Sequence, residues 1–440
     1  MTRAKTVAGV FLADATSRLL PVSIPFRFFG AALVYHLLAW LALLAGSAGV
    51  PRFAGGLGWP LAALHLVTLG VLVMTAIGAS LQLLPVATRQ PLRSVRWAAA
   101  IWWLYTPGVA GVALGIGSAT PPLLGLGALA VLLALLAFAA LLANNLLRAR
   151  GMRAVVAHGW AALACLLVVL ATALALALSY LGLPLLERAT ALVLHLMFAS
   201  YGFMGLLAFG LSSILVPMFA LSAAPDERQS IAACGLAVAA LVLAALGALG
   251  IAAPLLRLGA IGLGAAAVAI HLHLMLGALR TGMRRNLGRS LTLVRIGWVA
   301  LVASLCIALA VQLDAQFAAR FNLPTLFGLM LIVGWLLTFL LGILQRILPF
   351  LASMHVARGR QRPATPSSLS FDAALALHFA CHLAALAGLA LAVIADSASM
   401  AALAAGAGAL GATAFGAFFV ILLRRMNAGA AARPRTTPSA

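Results

Sequence analysis

The sequence predicts an all-α integral membrane protein with about 12 transmembrane helices in three quasi-repeated four-helix arcs. The membrane class follows from composition, because 65% of the residues are hydrophobic and only 8% are charged. It also follows from apolar runs of 20 or more residues that recur from one end of the chain to the other. A helix needs about 20 apolar residues to cross the hydrocarbon core of a bilayer. The arcs are predicted by an internal repeat every four helices.

The apolar segments follow one another without a long hydrophilic region, so a single membrane domain is expected over residues 26–426. Residues 1–25 are expected to form a cytoplasmic segment, and residues 427–440 a disordered cytoplasmic tail. The twelve predicted segments are 26–48, 60–86, 97–117, 122–147, 154–181, 188–219, 230–251, 256–280, 290–313, 324–352, 370–395 and 399–423.

The basic residues are distributed unevenly between the loops. The net charge of +21 comes largely from arginines, which cluster after segments 2, 4, 8 and 10 and in the C-terminal tail. The alternate loops hold only isolated charges such as Arg52 and Arg257. Because cytoplasmic loops are enriched in Lys and Arg, we expect both termini in the cytoplasm of a bacterium and the chain in its inner membrane. The positive charge is therefore interpreted as an orientation signal, and no nucleic-acid partner is expected.

Segments 2, 6 and 10 carry the repeat. Each has a proline near its end, which follows a compared starting position by 20 residues in segment 2 and by about 22 in the other two. The starting positions are His65, His195 and Phe327, and the prolines are Pro85, Pro217 and Pro349. The first two arcs thus have histidine at this position and the third does not.

Histidines inside the segments are the main functional signal, because an ionisable side chain in a bilayer is costly and marks a functional-site candidate. His65 and His195 lie near the starts of segments 2 and 6, with Gly70 and Gly202 nearby. Small residues on an inward-facing helix leave room for a flat cofactor. We expect both histidines to bind a haem or a metal, although each could instead hydrogen-bond a neighbouring carbonyl group.

Three further histidines are candidates for cofactor binding. His36 lies near the middle of segment 1, where a purely structural role would be costly. His378 and His382 are spaced i,i+4, so one helix face presents both imidazoles. That spacing suits one metal ion, or one haem ligand with its hydrogen-bond partner.

The remaining histidines give weaker signals. His271 and His273 flank one leucine and point about 200° apart on a helix, so both cannot serve one site. We expect one of them to face the interior and include His273 among the metal-ligand candidates. His158 and His355 lie at helix ends beside arginines and are expected to be interfacial.

Other chemistry is limited. All seven acidic residues lie at or near segment ends, which disfavours an ion-coupled transporter or a proton pump. The four cysteines occur singly and are interpreted as small core residues. The sequence has no CxxCH motif, so any haem would be of the non-covalent b type.

The twelve segments, the three arcs and the histidine positions resemble subunit I of the haem–copper oxidases. The resemblance implies that His65 matches the low-spin haem ligand of that family and that His195 matches its copper ligand. It also implies a heme b cofactor, copper as a second cofactor, and an electron-donor protein or quinol as partner. The sequence departs from the family because segments 7 and 10 contain no histidine. The chain is also similar to the NnrS family of haem- and copper-containing membrane proteins.

Two classes of function remain open at this point, and no catalytic residue is assigned. The first is a haem-binding, or haem- and copper-binding, membrane protein acting in nitric oxide or oxygen chemistry, electron transfer or sensing. Such a protein could be an oxidoreductase and could form a homo-oligomer. The alternative is a membrane protein for metal or haem transport or assembly that uses the same histidines. A cofactor-free permease is a third hypothesis.

Overall fold

Twelve long apolar helices, here called spans 1 to 12, form the described part of the computed structural model, which covers residues 20–284, 287–357 and 365–431. The predicted multi-pass helical fold is therefore confirmed. The spans are Ser23–Ala45, Trp59–Ala87, Val95–Gly117, Pro121–Leu147, Arg153–Tyr180, Arg188–Ala220, Glu227–Ala248, Ala253–Thr281, Gly288–Leu313, Leu323–Val356, Asp372–Ile394 and Ala398–Ala428. Short helices at Ser47–Gly49, Ala315–Arg320 and Pro366–Leu369 lie between spans.

The chain ends differ in part from expectation. Most of the predicted segment 1–25 and the last nine residues, 432–440, lie outside the described residues. The last helix continues to Ala431, so residues 427–431 are helical rather than part of a disordered tail.

Spans 2, 6 and 10 form the centre of the bundle. Their most apolar windows are 67%, 89% and 61% buried, whereas that of span 8 is only 22% buried. Consecutive spans pack on each other, and span 12 packs back on span 1, so the helices form a ring of arcs around the central spans. Large apolar side chains such as Trp103, Leu126 and Leu403 are exposed on the outer faces. Those faces contact the lipid bilayer.

Each central span contains an eight-residue π-helix, at Leu66–Val73, Phe198–Gly205 and Met330–Leu337. Consecutive π-helices begin 132 residues apart, and Pro85, Pro217 and Pro349 have the same spacing. The four-helix repeat is thus visible in backbone geometry. This register pairs His195 with Ala63 and Phe327, so His65 is displaced by two residues from the repeat position of His195.

Glycines at the same spacing allow the arcs to close tightly. A Cβ atom on Gly70 would lie 2.6 Å from Cβ of Tyr35, and one on Gly202 would lie 2.9 Å from Cβ of Cys165. Gly334 repeats this contact, with Cβ of Ala300 at 2.9 Å. Each π-helix therefore packs directly against the span before it, through a glycine that a larger residue could not replace without a shift.

The six acidic residues of the described part lie at or near helix ends, as expected, and Asp14 lies outside the described residues. The side chains of Glu187, Asp226 and Asp314 accept hydrogen bonds from backbone N–H groups at the starts of the helices that follow them. These hydrogen bonds, from Thr190 and Ala189, lower the pKa of the Glu187 carboxyl group. The cysteine prediction holds for Cys165 and Cys234, which are buried, but not for Cys306, which is exposed on its helix.

Candidate functional site

The structure gathers seven of the nine histidines into three groups. His65 and His195 lie near each other, as do His158 and His271. His36, His378 and His382 form a cluster of three. The other two are His273, which is exposed on span 8, and His355, which is half-buried at the end of span 10.

His65 is held in one orientation by its own helix. Its Nδ1 lies 2.9 Å from the carbonyl oxygen of Leu61, one turn earlier. A carbonyl oxygen can only accept, so Nδ1 carries the proton and Nε2 of the neutral ring is a lone pair. That Nε2 has no hydrogen-bond partner among the described residues. His65 is the last residue before the π-helix of span 2.

His195 reaches the same tautomer through a neighbouring span. Its Nδ1 lies 3.4 Å from Oγ1 of Thr172 in span 5. The Thr172 hydroxyl donates its own proton to the carbonyl oxygen of Val168 at 2.8 Å, so it accepts from His195. Nε2 of His195 is then also a lone pair, and it has no partner in the described part of the chain.

Unlike the five buried histidines, His65 and His195 each keep a partly accessible side chain. They come from the central spans 2 and 6, and neither span contains a carboxylate. Their Nε2 atoms are therefore the candidate ligand atoms of this pair.

The three-histidine cluster is fully buried. His36, His378 and His382 are 1%, 0% and 1% exposed. The ring centres of His36 and His378 are 6.2 Å apart, and those of His378 and His382 are 5.7 Å apart. The i,i+4 pair of span 11 thus meets His36 because span 12 brings span 1 alongside. Phe415 of span 12 stacks on His378 with ring centres 4.7 Å apart.

Each ring of the three-histidine cluster has one satisfied and one unsatisfied nitrogen. Trp40 Nε1 donates to His36 Nε2 at 3.1 Å, His378 Nδ1 lies 3.1 Å from Gly411 O, and His382 Nε2 lies 2.8 Å from Thr338 Oγ1. The other nitrogens are buried without a hydrogen-bond partner: His36 Nδ1, His378 Nε2 and His382 Nδ1. Such buried orphan atoms are uncommon and call for an explanation.

His158 and His271 form the third group, and here the sequence was misleading. His158 is buried and not interfacial, with Nδ1 2.8 Å from the carbonyl oxygen of Ala154. His271, not His273, faces the interior, and its ring stacks on Phe209 with centres 3.8 Å apart. His273 points to the exposed side of span 8, away from the other groups. The expectation that one of this pair faces inward is met by His271.

A large apolar cavity lies elsewhere. It has a volume of about 420 Å³ between spans 6 to 10, with Tyr201, Phe209 and Trp335 in its wall. Its lining is almost wholly apolar, Arg257 is its one charged residue, and no histidine lines it. A cofactor that needs a histidine ligand would find none on this wall. His65 and His195 therefore suit such a cofactor better than this cavity does.

The donor set can be tested against the cofactors that the sequence resemblance implies. In the described residues, no group of three or more His, Cys, Asp or Glu side chains is arranged to hold a metal ion. A copper centre with three protein ligands therefore does not fit. A b-type haem needs only one or two imidazole ligands, and His65 and His195 each have an Nε2 atom without a hydrogen-bond partner among the described residues.

Sequence reasoning did not identify the residues that orient the imidazoles. Thr172, Thr338 and Trp40 are buried or half-buried polar side chains in apolar spans, and each hydrogen-bonds a histidine from its own or another span. Trp40 lies four residues after His36, so its partner could have been inferred from helical spacing. The two threonines bond across spans, which no local spacing reveals.

Neither a family model nor a curated protein matches this sequence. The chain is similar in structure to a haem–copper terminal oxidase that was solved as a dimer by cryo-electron microscopy. The TM-score is 0.61 at 12% sequence identity, and the match covers 96% of this chain and 86% of that chain. At this identity the likeness establishes a shared fold, the twelve-helix fold of that oxidase.

Proposed function

We propose that this chain is a membrane protein that binds b-type haem through His65, with His195 as the second ligand. The observation that carries the proposal is the pair of neighbouring, partly accessible histidines whose Nε2 atoms have no hydrogen-bond partner among the described residues. The fold shared with a haem–copper terminal oxidase supports it. Neutral imidazole can bind iron without bringing charge into the bilayer.

The protein's own contribution is to fix the two rings. The Leu61 carbonyl accepts from His65 Nδ1, and the Thr172 hydroxyl accepts from His195 Nδ1. Such partners hold a ring in one tautomer and raise the basicity of the ligating nitrogen. The apolar helices around the two rings exclude water. When bound, haem would supply a redox-active iron that can bind diatomic gases.

The activity we propose lies in nitric oxide or oxygen chemistry, electron transfer or sensing. Two imidazoles on one iron favour electron transfer, whereas one imidazole leaves a position for a gas. An electron-donor protein or quinol is the partner this requires. We propose that both termini lie in the cytoplasm of a bacterium and the chain in its inner membrane, and the arginine distribution supports this orientation.

The test is an optical spectrum of the purified full chain, with His65→Gly and His65→Ala as variants. We expect the wild type to show a Soret band and sharp reduced α and β bands. Both variants should lose or convert that signal, because the neighbouring Leu64, Leu66 and Val67 offer no ligand. Free imidazole should restore it in His65→Gly, which a misfolded protein would not allow.

His273→Ala is the matched control, since it removes an exposed histidine and should leave the spectrum unchanged. His195→Ala tests whether His195 is a ligand of the same haem as His65. A shift to a spectrum that responds to carbon monoxide indicates that His195 is the second axial ligand. A wild type without chromophore would refute the proposal, and metal bound in exchangeable, substoichiometric amounts would favour transport or assembly.

A further inference from the structure

The three-histidine cluster has its own chemistry, separate from the haem proposal. Its three orphan nitrogens lie within the bundle at 0–1% side-chain exposure, near the middle of spans 1 and 11. Orphan polar atoms in such a place are costly unless something binds them. Their hydrogen-bond partners determine which of them can accept a ligand.

His378 and His382 both present lone pairs. The Gly411 carbonyl oxygen only accepts, so His378 Nδ1 is protonated and Nε2 is free to bind. Thr338 donates its hydroxyl proton to the Val333 carbonyl oxygen at 2.8 Å, so its oxygen accepts from His382 Nε2. His382 Nδ1 is therefore the second lone pair. Each ring thus has the outer hydrogen bond that is typical of a metal-ligating histidine.

His36 differs from the other two. Trp40 donates to its Nε2, which leaves the proton of the neutral ring on the unpartnered Nδ1. His36 therefore presents an N–H group and not a lone pair. This agrees with the finding that the described residues contain no group of three or more potential ligands arranged around an ion.

The spacing of the two lone-pair rings suits a shared ion. Two imidazoles that bind one ion at about 2.0 Å with their bonds nearly in line, as in a two-coordinate site, have ring centres about 6 Å apart. The ring centres of His378 and His382 are 5.7 Å apart. Both belong to one well-packed helix, so little ordering is needed for binding.

Charge and ligand number select the ion. The cost of moving an ion into an apolar medium rises with the square of its charge, and no carboxylate or thiolate among the described residues is grouped here to offset it. Zinc normally requires four ligands. Copper(I) is monovalent, accepts imidazole and is stable with two ligands. We propose that His378 and His382 form a two-coordinate copper(I) site, with His36 beside it and not a ligand, because its unpartnered N–H group offers the ion no lone pair.

The experiment is an anaerobic titration of the full chain with copper(I) against a chromophoric copper(I) chelator, with and without haem. We expect one ion per chain, with nitrogen as the only ligand type in X-ray absorption. His378→Leu and His382→Leu should each lower the affinity by about 100-fold or more, since each removes a ligand. His36→Leu should lower it by less than about 10-fold, which is below the roughly 10–100-fold typical of outer hydrogen-bond partners, because His36 neither binds the ion nor hydrogen-bonds either ligand.

His273→Leu is the control, because it removes a histidine that is exposed and far from the cluster. Silver(I), which is also monovalent, should compete with copper(I), and zinc should not. Tighter binding of zinc, sulfur ligands, or unchanged affinity in His378→Leu would overturn the assignment. So would a loss in His36→Leu as large as in His378→Leu. Copper(I) binding in haem-free protein keeps this result separate from the haem test.

Discussion

The His65–His195 pair and the three-histidine cluster use the same side chain in two different spaces. In both, a carbonyl or hydroxyl oxygen fixes the tautomer and leaves a lone pair free. The rings of the pair are partly accessible, whereas the cluster is 0–1% exposed. The accessible pair is therefore the better candidate for a planar cofactor, and the buried cluster is the better candidate for a single ion.

The 420 Å³ cavity differs from both histidine sites in its lining. Its volume is large enough for a small molecule, but its wall contains no imidazole. The cavity and the histidine sites are thus formed by different residues of one bundle. We expect ligand chemistry, rather than cavity size, to decide where each cofactor binds.

The largest expected effect is a crossed loss of the two cofactors. The double variant His65→Leu/His195→Leu should lose haem entirely while its copper(I) affinity stays within about twofold, because well-separated sites act independently. His378→Leu/His382→Leu should do the reverse. Haem analysis and copper titration on the same preparations check this. Loss of both cofactors in either double variant would show that the sites are one.

A second prediction compares the two threonines that orient the rings. Thr338 Oγ1 lies 2.8 Å from His382 Nε2, and Thr172 Oγ1 lies 3.4 Å from His195 Nδ1. Thr338→Val should weaken copper(I) binding by about 10-fold, within the range for outer hydrogen bonds to metal ligands. Thr172→Val should weaken haem binding by less, because its hydrogen bond is longer. A larger effect from Thr172→Val would reverse the ranking of the two contacts.

The sequence was sufficient for the fold class because membrane spans need only length and apolar composition. The i,i+4 spacing also predicted that His378 and His382 share a face, and their rings do stack. The addition of His36 could not be predicted, since it depends on span 12 packing against span 1. Helical spacing predicts neighbours within a span, whereas neighbours between spans depend on tertiary packing.

Two differences have physical causes. His273 could not be distinguished from His271 because both faces of span 8 are apolar, one toward lipid and one toward protein, so the sequence lacks the contrast that marks a buried face. His65 is offset by two residues from the true repeat position because the repeat was aligned on residues of the same type, His65 with His195. Gly70, Gly202 and Gly334 have the true 132-residue spacing and were readable in the sequence.

A third prediction concerns the tight contact between spans 1 and 2 at Gly70, five residues after His65. In Gly70→Ala the new methyl group would lie 2.6 Å from Cβ of Tyr35, so spans 1 and 2 must separate. Overpacking of this kind costs about 1–3 kcal/mol of unfolding free energy. Gly406→Ala is the control, because no atom lies within 4 Å of its added Cβ. Unfolding in detergent should show that Gly70→Ala has the lower free energy of unfolding. Equal free energies would mean that spans 1 and 2 accommodate the methyl group without cost.

The smallest expected effect comes from the cavity. Gly264 lines it, and a Cβ at this position would have its nearest neighbours at 3.9 and 4.0 Å, so Gly264→Leu can fill space without a clash at its first carbon. No histidine lines the cavity, so haem content and copper(I) affinity should both stay within about twofold of wild type, as for separated sites. Optical spectra and the copper titration measure both. If Gly264→Leu loses haem while Gly406→Ala keeps it, the haem occupies the cavity and the assignment to the His65–His195 pair fails. Retention of haem would show that the bundle selects its cofactor by the position of its imidazoles.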